Sequence, residues 1–120
     1  MHHFKKLKVW QKSIELVTQI YVITKTFPKE ETFGLISQIR RCAVSIPSNI
    51  AEGSGRSSDK DTLTFLNYSL GSSFELETQL IIAANLSYVT SETSEALLAV
   101  VQEVQKMLYQ LIKKLTPLDN

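Results

Sequence analysis

Apolar residues recur at helical spacing along most of the chain. In the first stretch Trp10, Ile14, Val17 and Tyr21 follow the i, i+4, i+7 pattern, and Val9, Leu16, Ile20, Ile23 and Phe27 form a second stripe beside them. Together the stripes take up roughly half of the helix circumference, wider than the ~100° stripe of a helix with one packed face. This predicts a helix with more apolar surface than its own bundle can cover. A second stretch opens after Pro28 with Glu30 and Glu31, acids suited to the positive end of a helix, and runs through Phe33, Ile36, Ile39, Ala43, Ile46 and Ile50. It should end near Gly53 or Gly55. Pro47 lies inside this pattern, where it removes a backbone donor and disfavours helical geometry at Ile46; the expectation is a kink there, with the helix continuing beyond it.

The third stretch begins at Ser58-Asp59-Lys60-Asp61, a capping box with Asp in place of Glu. Leu63, Leu66, Leu70, Phe74, Ile81 and Ala84 are expected to mark its inner face. Glu77 shares a column with Leu63, Leu70 and Ala84, so it is either buried beside a cationic partner or sits where the stripe meets water. In the fourth stretch Leu97, Val101, Val104, Leu108, Leu111 and Leu115 repeat at alternating spacings of four and three, the seam of a bundle helix. Glu92 and Glu95 near its start, and Lys113 and Lys114 near its end, oppose the helix dipole favourably.

Pro28, the Gly53/Gly55 pair, the polar run Ser87 to Ser94 and Pro117 divide these stretches. Short connections force neighbouring helices to alternate in direction. The chain is therefore expected to be all-α, an antiparallel up-down-up-down four-helix bundle forming one domain over residues 1–120. A bundle this thin has a high ratio of surface to volume, which favours self-association.

Composition narrows the function classes. Four glycines and three prolines in 120 residues disfavour turn-rich β architectures and disordered tracts. One cysteine, Cys42, excludes an internal disulfide and fits a reducing compartment. The longest apolar run, Leu80 to Ala84, is far below the ~20 residues that span a bilayer, and the lysine-rich start lacks the apolar stretch of a signal peptide, so a soluble cytoplasmic protein is expected, with no membrane partner. Thirteen Lys and Arg against twelve Asp and Glu leave a net charge of +1, so any basic site must be local.

Three basic groups stand out: Lys5, Lys6, Lys8 and Lys12 at the entrance to the first helix; Arg40 and Arg41; and Lys113 with Lys114. Recurring around a ring of copies, such groups would offer phosphates a focused positive surface even on a nearly neutral subunit. The acids Glu52, Glu75 and Glu77 lack the Glu-x-x-His motifs of a di-metal bundle, which leaves them to pair with arginines. Across an antiparallel hairpin centred near Arg56, Glu75 and Glu77 come within about one turn of Arg40, and an Arg40 clasp with Glu75 or Glu77 is expected. Cys42 lies among Ile39, Ala43 and Ile46 with no internal histidine to activate it, and reads as a small packed residue. Neither a metal nor a cofactor nor a small-molecule substrate is implied, and no catalytic residue is assigned.

The run Phe33 to Arg56 (FGLISQIRRCAVSIPSNIAEGSGR), with the start Phe4 to Lys12 (FKKLKVWQK) and the later Leu70 to Thr78 (LGSSFELET), resembles the bacterial four-helix bundle proteins encoded in intervening sequences of 23S ribosomal RNA genes, also called a ribosomal protein family. The resemblance covers nearly the whole chain and implies an up-and-down bundle assembled as a ring-like homopentamer. A related branch, the accessory proteins of diversity-generating retroelements, binds nucleic acid through basic surfaces. The expected role is then a non-catalytic oligomeric scaffold that holds RNA or another nucleic acid by sequence-independent phosphate contacts from Lys5, Lys6, Lys8, Lys12, Arg40, Arg41 and Arg56. The alternative is a protein-interaction adaptor whose exposed groove receives a partner helix, with no nucleic-acid role.

Overall fold

Ser58 and Thr90 set the starts of the two longest helices. Ser58 Oγ accepts the Asp61 N–H at 3.2 Å, and Thr90 Oγ1 accepts the Thr93 N–H at 3.2 Å, each satisfying a first-turn donor that has no partner inside its helix. The computed structural model describes residues 3–118 as four helices: α1 Lys8–Thr24, α2 Leu35–Ser54, α3 Asp59–Asn85 and α4 Ser91–Leu115. Short 3-10 turns at Phe4–Lys6 and Lys29–Glu31 precede α1 and α2, and no strand occurs among the described residues. The molecule measures 49 × 24 × 21 Å. No helix among the described residues is long and apolar enough to cross a membrane.

The core is drawn from all four helices and is strongly aliphatic. Leu16 and Ile20 of α1, Ile39, Ile46 and Ile50 of α2, Leu66, Leu76 and Leu80 of α3, and Val101, Val104 and Leu108 of α4 are fully buried. Contacts between α2 and α3 step in opposite senses along the two helices: Gly53 meets Thr62, Ile46 meets Ser69, Ser45 meets Ser72, and Cys42 meets Glu75. That progression is the register of two helices pointing in opposite directions.

Helix α2 carries on past Pro47 to Ser54. Near the proline, side chains supply extra donors to the backbone: Asn49 Nδ2 donates to the Ser45 carbonyl and Ser69 Oγ to the Ile46 carbonyl, both at 2.9 Å. Pro47 itself is buried.

Two expectations about the helices are corrected. Phe33 lies outside α2 and is 96% exposed, because the Glu31 carboxylate accepts the Leu35 N–H at 3.1 Å and starts the helix after Gly34 instead of after Pro28. On α3 the buried face is Leu66, Ser69, Leu70, Ser73, Leu76, Leu80 and Ala83, whereas Phe74 and Ile81 are exposed. Serines can occupy a helix's inner face when their hydroxyls are satisfied locally. Ser73 Oγ donates to the Leu70 carbonyl at 2.6 Å and Ser69 Oγ bonds across to α2, so neither carries an unmet polar group.

Their small size also lets α2 come close. A Cβ placed on Gly53 would stand 3.0 Å from Phe65 Cβ and 3.2 Å from the Thr62 carbonyl, so that crossing favours glycine. The Thr62 hydroxyl closes the same crossing by donating to the Gly53 carbonyl at 2.8 Å.

Candidate nucleic-acid interface

Of the two apolar stripes on α1, one is inside. Val9, Leu16, Ile20 and Phe27 are buried, while Ile14 and Tyr21 stay more than a third exposed and Trp10 and Val17 are half-buried. Phe4 packs edge-on against Trp10 with ring centroids 5.3 Å apart. A shallow depression of about 280 Å3 runs between this strip and Val44, Pro47 and Ala51 of α2. The surplus apolar flank of α1 is therefore a real surface, and it continues onto α2.

Arg40 lies beside this strip and is tied down. Its guanidinium stacks over the Tyr21 ring at 4.5 Å, Nε donates to Thr24 Oγ1 at 2.8 Å, and Nη2 reaches the Tyr21 carbonyl at 3.4 Å. The expected clasp of Arg40 with Glu75 or Glu77 is absent. Arg40 stands at the right level but faces α1; Cys42, two residues on and about 200° round the helix, faces α3 and donates from Sγ to Glu75 Oε2 at 3.5 Å. Glu77 is half-buried with amides as partners: Gln105 Nε2 donates to it at 2.9 Å and Gln102 Nε2 at 3.5 Å. Its partner is not a cation. Nothing in the spacing of the chain signals Tyr21, Thr24 or Gln105 in these roles.

The other candidates divide into engaged and free. Lys12 bridges Glu15 at 3.8 Å and Glu103 at 3.6 Å, joining α1 to α4. Arg56 pairs with Glu52 at 3.0 Å and covers the Phe65 ring at 4.5 Å. Lys5, Lys6, Lys8 and Arg41 are exposed, and among the described residues they form no ion pair. They do not form a single cluster. Lys5 and Lys6, in the first 3-10 turn, and Lys8, at the first residue of α1, lie towards the level of Ala51, whereas Arg41 lies near the level of Tyr21 and Thr24. Ten residues of α2 separate those levels, roughly 15 Å at 1.5 Å per residue.

Cys42 is buried beside Glu75, and burial foremost, with the neighbouring carboxylate, pushes its thiol from the usual 9.0 up to about 11. A thiol held protonated in this way is a poor nucleophile. Among the described residues no group of three or more His, Cys, Asp or Glu is gathered where a metal ion could be held.

These features define an all-helical, four-helix protein with an apolar strip and exposed cations at its two ends. The family described as the 23S rRNA-intervening sequence protein matches residues 5–110, and the chain belongs to that family. Its fold is similar to the crystal structure of a protein with unknown function from the S23 ribosomal protein family of Bacteroides thetaiotaomicron. The TM-score is 0.82 at 30% identity, over 88% of this chain and 98% of that one. No curated protein matches the sequence.

Proposed function

We propose that the protein is a non-catalytic scaffold of the cytoplasm that assembles as a homopentamer and holds RNA by contacts to phosphates. The observation that carries this reading is the half-exposed strip Trp10, Ile14, Val17 and Tyr21, extended by Val44 and Pro47, with unpaired cations towards both of its ends. Covering that strip with a second copy removes apolar surface from water, worth about 25 cal/mol per Å2. Each added copy brings another Lys5, Lys6, Lys8 and Arg41, so assembly multiplies a positive charge that one subunit hardly possesses. Because the cations stand at two levels, a strand laid along the bundle meets both sets.

The test is absolute mass in solution with and without a single-stranded RNA, followed by RNA affinity across a salt series. The expected result is one oligomeric species that takes up RNA, with affinity falling steeply as salt rises. Replacing Lys5, Lys6 and Arg41 by glutamate should abolish RNA uptake while leaving the oligomer's mass unchanged. A monomer at micromolar concentration defeats the assembly, and an affinity indifferent to salt defeats the phosphate contacts.

A further inference from the structure

On the other side of α1 from the strip, α1 and α4 meet along a second seam. They leave an open groove of about 490 Å3 whose walls include Val22, Ile23, Ala96 and Val100. Val22 is 59% exposed at its edge, an unusual setting for a β-branched aliphatic with nothing of its own chain to cover it. The charge around this groove leans acidic. Residues 12–25 and 91–105, which supply both walls and the two ends of the α1 wall, contain four acids, Glu15, Glu92, Glu95 and Glu103, against two bases, Lys12 and Lys25. Glu92 lines the groove, with Lys25 one turn beyond Val22 at that end, and Glu15 and Glu103 lie towards the other end with Lys12 between them. In a chain of net charge +1 this leaves a local excess of two acids over an apolar floor.

From this geometry we infer that the α1–α4 groove is the docking site for a basic amphipathic helix of a protein partner. The groove's length fits that occupant: its α4 wall runs from Glu92 to Val100, about two turns of helix, room for apolar anchors at i, i+3 or i+4, and i+7. Lysines or arginines flanking those anchors then lie over Glu92 at one end and, at the other, over Glu15 and Glu103, two carboxylates that share the single Lys12. An acidic helix is repelled by the same rim, and a nucleic acid finds no cation among the residues lining the groove. The site shares no residue with the RNA-binding cations proposed above, so it stands or falls separately from them.

The test uses the full chain and a fluorescently labelled helical peptide of about 14 residues, with Leu at i, i+3, i+4 and i+7 and Lys elsewhere. Its control is a peptide of the same composition in scrambled order. Binding is read by anisotropy, and its location by amide shift changes. The patterned peptide is expected to bind in the micromolar range, the scrambled one about tenfold more weakly, with shifts at Ile23, Ala96 and Val100 and none around Trp10 and Val44. Val22→Lys and Ala96→Lys should each weaken binding about tenfold, and Glu92→Lys should weaken it less while flattening its dependence on salt. Both lysine positions are exposed, and Val22→Ser gives a milder truncation if either variant folds poorly. Equal binding of the two peptides overturns the inference, as do shifts confined to the Trp10 strip. A fall in the mass of the unliganded protein on Val22→Lys also overturns it, because a second copy would then fill the groove.

Discussion

Along the α2–α3 seam two backbones approach over glycine and serine, whereas along α1–α4 the helices leave an open groove of about 490 Å3. The close seam is held by hydroxyls. Ser69 bonds the Ile46 carbonyl, Thr62 bonds the Gly53 carbonyl, and Ser45 and Ser72 share a hydrogen bond of 2.8 Å. The open seam has larger aliphatic residues and is bridged by one ion pair, Lys12 to Glu103, among the described residues. Small side chains thus build the closely packed half of the bundle, while the larger aliphatic ones on the opposite side are left partly uncovered.

Overfilling the close seam should have the largest effect. Ser69→Leu removes a buried donor from the Ile46 carbonyl and forces a bulkier side chain between α2 and α3; a loss of about 2–3 kcal/mol is expected in urea denaturation. Glycine offers a sharper version within the same two helices. Gly53→Ala should destabilise by about 1–2 kcal/mol, because the added Cβ meets Phe65 Cβ at 3.0 Å. Gly71→Ala, where nothing lies within 4 Å, should instead stabilise by about 0.5–1 kcal/mol through the ordinary helical preference for alanine. Equal effects at the two glycines would show that α2 and α3 are not in close contact at Gly53.

The buried thiol of the same seam adds a dependence on pH. Below about pH 9 both folded and unfolded chains keep the Cys42 proton; between 9.0 and about 11 the unfolded chain loses it first, so stability falls as pH rises through that window. Unfolding of the wild type and of Cys42→Ala, compared at about pH 8 and about pH 10, should show a drop that is larger in the wild type. At the open seam changes should be smallest. Ala96→Leu lies on an exposed wall with space beside it, and its stability should stay within about 0.5 kcal/mol of wild type.

The four helices were legible because their apolar periodicity and breakers agree, and the caps at Ser58 and the charges at both ends of α4 were legible from local chemistry alone. The inner face of α3 was not. Hydrophobic pattern favours Phe74 and Ile81 over Ser69 and Ser73, and only the arrival of α2 makes serine the better fit. Arg40 shows the same limit on the candidate site. Its level relative to Glu75 and Glu77 follows from hairpin length, but the choice between facing α1 and facing α3 depends on how α2 is rotated, which a list of spacings leaves open. The exposed strip on α1 was visible because its two stripes are too broad for one packed face. The α1–α4 groove was not, since its size depends on how far apart the helices settle.

Glu31 joins two connections that are remote in sequence. One carboxylate oxygen holds the first amide of α2 at Leu35, and the other receives the hydroxyl of Tyr88, 57 residues later, while Phe27 packs on the Tyr88 ring at 5.6 Å. The loop before α2 and the loop before α4 are thereby latched to a common post. Unlatching one releases the other, so amide hydrogens in both should exchange as a cooperative unit and not as two independent frayed bends.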